Sequence, residues 1–281
     1  MNSIFKTIED ILKTSGIEEY KAEAKMIVLQ ISGLSTEEIY LNNIIPNKEE
    51  IINTAKKRAS TKAPIQYILG FCYFMDEKYK VNKNVLIPRD ETELLVLNAY
   101  DLIKDKKEKI NILDIGTGSG CISCALAKKL EKKDIEILAT DISTDALEVA
   151  IENINNLNLV RKVIIRKSDI YSKIRDFEKF DLIVSNPPYI PLSEKNNLDK
   201  AVIDFEPELA LFAQDKEGVE FYEKIIKNAK NHLKNEGYIA FEIGINQSKI
   251  VKDILLKYDF KNINTIPDLA NTERVITAQI V

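Results

Sequence analysis

From Thr92 onward the chain alternates short apolar runs with amphipathic stretches, and this alternation leaves little choice of architecture. The runs at 110–113, 135–139, 163–165, 182–184 and 238–243 are too short for helices and apolar enough to be buried on both faces. Between them, 121–130, 145–157 and 218–233 carry apolar residues at the 3.6-residue spacing of a helix. Strands that each wait for a helix before the next must run parallel, so the pattern predicts a doubly wound α/β sheet. In such sheets ligands sit at the carboxyl ends of the strands. Farther on, a helix at 247–257 precedes strands at 262–266 and 274–280 with no helix between them. The sheet should therefore end in an antiparallel pair.

The first 70 residues read differently. Ile4, Phe5, Ile8, Ile11 and Leu12 follow the helical period until Ser15-Gly16 stops it. A second helix over 18–31 places Ala24, Ile27, Val28 and Ile31 on one face, with Gly33 beyond its end. Ser35 with Glu38 forms a capping-box pattern for a third helix, and Asn47 with Glu50 offers a cap for a fourth. The set reads as a small helical domain over 1–70, suited to docking and lacking a catalytic constellation. Over 71–90 the texture turns aromatic and β-branched, with Asp76-Glu77 and Asn82-Lys83-Asn84 as turns, which predicts a hairpin linker. The remaining domain is 91–281. Acidic residues interrupt the N-terminal apolar pattern, unlike a signal peptide, and no run approaches the roughly 18 apolar residues of a membrane span. A cytoplasmic protein with no membrane association is expected.

Asp114-Ile-Gly-Thr-Gly-Ser-Gly120 follows the first strand of the sheet and opens a helix. Gly116, Gly118 and Gly120 let the backbone turn sharply and come close to a ligand. The third glycine comes two residues after the second, against three in the dinucleotide fingerprint, and no Gly-Lys-Ser/Thr of a P-loop is present. The acid before the first glycine suits a cationic ligand better than a pyrophosphate. Asp141 ends the second strand, where a carboxylate accepts the hydroxyls of a ribose, and Asp169 follows the third strand, where an adenine edge can be read. Together these point to S-adenosylmethionine, with a nicotinamide dinucleotide as the alternative. Gly116, Thr117, Gly118, Ser119, Gly120, Asp141 and Asp169 are the expected cofactor-binding residues, with no metal.

The fourth strand closes on Asn186-Pro187-Pro188-Tyr189. Two prolines make a stiff extended turn that cannot continue into a helix. Such a corner suits methylation of a planar nitrogen, whose lone pair is delocalised into the adjoining π-system. Its two N–H groups need fixed acceptors, which the Asn186 side-chain oxygen and the Pro187 carbonyl offer. Tyr189 is expected to stack on the planar group and to attract a cation. Asn186, Pro187 and Tyr189 are thus the expected catalytic residues, Asn186 also borders the cofactor, and Asn186 to Tyr189 should grip the substrate. No histidine is required, because a methylated amide nitrogen is a strong acid. The one histidine, His232, reads as surface on an amphipathic helix.

A net charge of −4 argues against a protein that clamps long nucleic acids, since that affinity rests on neutralising phosphates, and no stable nucleic-acid binding is expected. Cys72, Cys121 and Cys124 make no disulfide framework. Cys121-Ile-Ser-Cys124 at a helix start reads as packing rather than redox chemistry. Arg89, beside Glu91 and Glu93, is open between an interdomain salt bridge and a contact to the cofactor's carboxylate. Glu206-Pro207 is open between a plain turn and a loop over the substrate.

With these motifs together the chain resembles the peptide chain release factor N5-glutamine methyltransferases, the PrmC/HemK family. The resemblance runs nearly end to end, through Tyr67-Ile-Leu-Gly70, Val85 to Glu93, the glycine loop, Asp141-Ile-Ser, Asn186 to Ile190, Phe205-Glu-Pro207, Glu242-Ile-Gly244 with Gln247, and Asp268-Leu-Ala with Arg274. It implies a class I S-adenosylmethionine-dependent methyltransferase domain with a Rossmann-like seven-stranded sheet behind a helical domain that helps hold a protein substrate. The implied reaction methylates the glutamine of the Gly-Gly-Gln loop of class 1 peptide chain release factors, leaving S-adenosylhomocysteine. The alternatives are a glutamine of a large-subunit ribosomal protein and the amino group of a nucleic-acid base. The chain departs from the family pattern at Asp90 (usually proline), at Phe74-Met75-Asp76 (usually with a glycine) and at Asn271-Thr272-Glu273 (usually Gly-x-Asp).

Overall fold

Helical periodicity in the first 70 residues becomes five helices: α1 (Ser3–Thr14), α2 (Tyr20–Ser32), α3 (Thr36–Leu41), α4 (Lys48–Thr61) and α5 (Ile65–Leu69). They are seen in a computed structural model that describes residues 3–41 and 44–281; Met1, Asn2, Asn42 and Asn43, which the predicted helical domain includes, lie outside the described residues. Ile4, Ile8, Leu12, Ala24, Ile27, Val28, Ile51 and Ala55 are buried in one apolar cluster, each supplied by the inward stripe of its helix. The capping box forms as read: the Ser35 N–H donates to Glu38 Oε2 at 2.7 Å and the Glu38 N–H donates to Ser35 Oγ at 3.2 Å. Asn47 does not cap α4 with its side chain. It adopts a left-handed conformation (φ 54°), and its Nδ2 donates to the Ile31 carbonyl at 2.9 Å, so a longer-range partner outcompetes the local one. Buried Glu23 is gripped in a two-bond fork by Arg58 at 2.7 and 2.8 Å, tying α2 to α4.

Two compact units emerge, one of residues 1–70 with Lys200–Phe205, the other of Phe71–Asp199 with Glu206–Val281. The second begins with a hairpin of β1 (Phe71–Phe74) and β2 (Glu77–Lys80). Its turn residues are Met75 and Asp76, one step earlier than the Asp76-Glu77 read from sequence, and both have positive φ (50° and 63°). Then follow α6 (Asp90–Ile103), β3 (Ile110–Ile115), α7 (Cys121–Lys129), β4 (Ile135–Asp141), α8 (Thr144–Asn156), β5 (Val163–Lys167) and β6 (Phe180–Ser185). A short excursion holds β7 (Ile190–Pro191), a 3-10 turn (Leu192–Asn197), α9 (Lys200–Phe205), α10 (Glu208–Leu211) and β8 (Phe212–Ala213). The chain closes with α11 (Glu220–Ala229), β9 (Leu233–Glu242), α12 (Ser248–Lys257), β10 (Lys261–Pro267) and β11 (Glu273–Gln279).

Seven of these strands form one sheet in the order β10-β11-β9-β6-β3-β4-β5. The strands from β9 through β5 run parallel, and β11 and β10 add the expected antiparallel end. The chain winds outward from β3 through β4 to β5 and then returns to β6 on β3's other side. Connections therefore leave in opposite directions beside β3, opening a crevice at the carboxyl ends of β3, β4 and β6. One face of the sheet packs Tyr222, Ile225, Ile226 and Ala229 of α11 and Val251 and Leu255 of α12 against Ile183, Ile239 and Phe241.

His232 departs from its reading as surface. The helix ends at Ala229, and His232 lies in the turn before β9, 6% exposed and stacked on Tyr171 with ring centroids 4.7 Å apart. Burial holds its imidazole below the ordinary histidine value.

Candidate active site

Four strand ends converge on a cavity of about 320 Å³. From the β3 end it takes Gly116, Thr117, Gly118 and Ser119; from β4, Asp141 and Ile142; after β5, Asp169 and Ile170; after β6, Asn186, Pro187 and Pro188. Val85, Leu86 and Pro88 border it from the segment before α6, and Pro207, Leu209 and Ala210 from the loop around α10. A mostly apolar hollow with a few convergent polar groups is what a small-molecule site requires.

The glycine loop is shaped by backbone conformation. Gly116 and Gly118 have φ of 74° and 54°, and a Cβ built on either would meet nothing within 4 Å, so both face open space. Gly120, also at positive φ (80°), is different: its Cβ would lie 3.2 Å from that of Ala150 on α8. It allows close packing of α7 on α8 and is not among the residues lining the cavity.

Asp141 binds the loop from below, its Oδ2 accepting the Gly118 N–H at 2.9 Å and its Oδ1 the Ser143 N–H at 2.9 Å. Each oxygen keeps a further lone pair. Burial raises its carboxyl above the ordinary aspartate value, and the backbone bonds oppose that rise. Asp114 does not face the hollow as its sequence position implied. It is fully buried, with Oδ2 accepting from Thr117 Oγ1 and Ser123 Oγ, both at 2.6 Å. Its Oδ1 is buried without a hydrogen-bond partner among the described residues. Burial, only partly offset by those two hydroxyls, pushes its carboxyl up to about 6. Asp169 is exposed at the rim, and the exposed Ile142 and half-buried Ile170 that follow the two acids present apolar side chains beside them.

The Asn-Pro-Pro-Tyr corner divides in two. Asn186, Pro187 and Pro188 line the cavity; Tyr189 does not. Asn186 Nδ2 donates to Thr92 Oγ1 at 3.2 Å, and Thr92 Oγ1 in turn donates to Glu242 Oε2 at 2.6 Å. The Tyr189 ring lies against Gly244, whose added Cβ would come within 3.0 Å of it, and its hydroxyl donates to Glu242 Oε1 at 3.2 Å. Burial, with Glu242 close by, raises the Tyr189 phenol well above its ordinary value, so it stays protonated and able to donate. Gln247 holds the Tyr189 backbone, donating from Nε2 to its carbonyl at 2.8 Å and to the Glu217 carbonyl at 2.8 Å. Arg89 pairs with buried Glu206 at 2.5 Å, within the same unit. That ion pair ties together two of the segments that border the cavity.

Residues 3–70 match the family model described as PrmC N-terminal domain, and residues 91–204 match the methyltransferase small domain. A release factor glutamine methyltransferase of Lactococcus lactis is 40% identical over 253 residues, covering 89% of this chain and 90% of that one. Another, from Fusobacterium nucleatum, is 37% identical over 280 residues, 98% of this chain and 78% of the relative. The chain belongs to the release factor glutamine methyltransferase family. Among solved structures, the hMettl16 catalytic domain in complex with an MAT2A 3'UTR hairpin superposes with a TM-score of 0.59 at 17% identity, over 82% of each chain, which speaks for the fold alone.

Membership in this family agrees with the resemblance drawn from the motifs, and it gives the unassigned residues a context. Thr92, Glu242 and Gln247 stand in the quoted motifs without a role in the sequence reading. A signal was present in Glu242: an acid directly after the apolar run Ile239-Ala240-Phe241 has to find buried donors. That Thr92, 150 positions away, supplies one of them is visible only in the folded chain.

Proposed function

We propose that the chain transfers a methyl group from S-adenosylmethionine to the side-chain amide nitrogen (N5) of the glutamine in the Gly-Gly-Gln loop of class 1 peptide chain release factors. The observation that carries this reading is that one cavity is lined both by the glycine loop with Asp141 and Asp169 and by Asn186-Pro187-Pro188. Donor and acceptor thus have adjoining walls of the same space. The described residues fit the cofactor. Gly116 and Gly118 leave open room where side chains would intrude, and Asp141 keeps lone pairs for hydroxyls. Ile142 and Ile170 offer apolar contact to a flat base. When bound, S-adenosylmethionine supplies a methyl group on an electrophilic sulfonium and is left as S-adenosylhomocysteine.

The chain's own work is to prepare the nitrogen. With Nδ2 given to Thr92, Asn186 has its Oδ1 available as an acceptor, and Pro187, lacking an N–H, offers only its carbonyl. Two acceptors for the two amide N–H groups favour a pyramidal nitrogen with its lone pair directed at the methyl group. The methylated nitrogen then loses its proton to water or a carbonyl, so it is no obstacle that buried His232 is not among the residues lining the cavity. Tyr189 serves through its hydroxyl and backbone, which hold the corner, in place of the stacking read from sequence. The helical unit is assigned to holding the protein substrate, with exposed Tyr40, Leu41 and Ile44 as its contact surface. Among the described residues no helix is long and apolar enough to cross a membrane. A release-factor substrate places the work in the cytoplasm.

Incubation with labelled cofactor and a class 1 release factor should add one CH2 to the factor, located by mass spectrometry at the glutamine. A glutamine-to-alanine change in the factor should abolish it, and Asn186→Ala in the enzyme should lower turnover about 10²-fold. Persistent labelling of the altered factor, or labelling of a ribosomal protein or nucleic acid in its place, would overturn the proposal.

A further inference from the structure

Asn186 reaches its acceptor orientation through Thr92, which borders the cavity, and Glu242, which does not. Glu242, 2% exposed at the end of β9, is an acceptor-only group when ionised. Thr92, 3% exposed in the first turn of α6, has one hydroxyl proton, and at 2.6 Å that proton goes to Glu242 Oε2. The Thr92 oxygen is then left with lone pairs only, so toward Asn186 it must accept, and the amide end facing it has to be Nδ2 at 3.2 Å. The direction of every bond in the row follows from the carboxylate at its far end. Glu242 Oε1 takes the Tyr189 hydroxyl at 3.2 Å, so the same carboxylate steadies both ends of the Asn186–Tyr189 corner.

We infer that Glu242, acting through Thr92, is a positioning residue that sets which way the Asn186 amide faces and thereby makes the site accept the N–H groups of an amide. Were Asn186 turned over, its NH2 would confront the substrate's own N–H donors and would hold the substrate carbonyl oxygen instead, presenting the wrong atom to the methyl group. The inference rests on the amide-methylating reading above.

Three variants test it. Thr92→Val removes the hydroxyl at nearly constant volume, Thr92→Ser restores it, and Glu242→Gln keeps the shape but adds a donor. In Glu242→Gln the new NH2 can give its proton to Thr92, freeing the threonine proton for Asn186 Oδ1 and reversing the row. Thr92→Val and Glu242→Gln should each lower kcat by roughly 10²-fold, the cost of misplacing a reacting group, with the KM for S-adenosylmethionine changed less than about threefold. Thr92→Ser should recover most of the lost kcat. Independently of any substrate, the Asn186 side-chain NH2 resonances in ¹⁵N spectra should be those of a hydrogen-bonded amide in the wild type and should move toward free-amide positions in both damaging variants. Unmoved resonances, or a folded Thr92→Val that keeps kcat within about twofold, would overturn the inference. A Thr92→Ser as impaired as Thr92→Val would do so too. A wild-type protein that shows the hydrogen-bonded resonances yet labels no release factor would instead count against the substrate reading.

Discussion

At the scale of single residues, two acids at the site, Asp114 and Glu242, lie where water cannot reach them. Asp114 is the clearest case, with one oxygen bound by two hydroxyls and the other without a partner among the described residues. Its carboxyl lies at about 6 in the fold, against an ordinary value of 3.8. A raised acid favours the folded state when protonated, so its contribution is complete below about pH 4 and is lost as the pH rises through about 6. The cost of ionising it in place is on the order of 2–3 kcal/mol. Urea unfolding of the wild type and Asp114→Asn at pH 4.5 and 7.5 should show the wild type losing stability relative to the variant at the higher pH. A difference independent of pH would contradict this account. The cysteines follow the same logic. Burial pushes the Cys124 thiol up to about 12, so the C-x-x-C pair packs as thiols and holds no ready thiolate, in line with its sequence reading.

At the scale of elements, the two departures from family glycines fall where the backbone needs left-handed conformations. Asn271, where the family usually has glycine, has φ 63°, which asparagine tolerates. Met75 has φ 50° in a two-residue hairpin turn that wants positive φ at both positions, and a methionine side chain strains there. Its N–H donates to Glu93 Oε1 at 2.6 Å, a bond that any residue at 75 keeps. Met75→Gly should therefore stabilise the protein by about 1 kcal/mol, an increase in Tm of a few degrees for a chain of this size. A fall in Tm would show that the half-buried methionine side chain contributes more by packing than its backbone loses to strain. The hairpin was legible from its texture, but its turn was misplaced by one residue. The turn chemistry of Asp76-Glu77 looked ordinary, and the register is set instead by the pairing of Phe74 with Glu77.

At the scale of the whole chain, every residue lining the cavity belongs to the sheet unit, and none comes from residues 1–70 or 200–205. Cofactor binding should therefore be insensitive to damage confined to the helices. Arg58→Ala leaves buried Glu23 without its guanidinium and should destabilise the helical unit by roughly 3 kcal/mol. Calorimetry of the variant should show an earlier transition, while its affinity for S-adenosylmethionine stays within about twofold of wild type. Loss of cofactor binding in parallel with the helices would refute that independence.

The amino-acid order alone carried the α/β winding, the antiparallel end of the sheet, the glycine loop, the two rim acids and the Asn-Pro-Pro corner. All of these are periodicities or local backbone requirements, expressed within a few neighbouring residues. Folding decided which polar groups meet across long separations: Asn186 with Thr92 and Glu242, Arg89 with Glu206, Asn47 with Ile31. It also carried Tyr189 away from the cavity wall and buried His232 on Tyr171. A buried donor or acceptor must find a partner somewhere, but spacing along the chain does not say where. Only the packing of the sheet and its helices brings the one within 3 Å or so of the other.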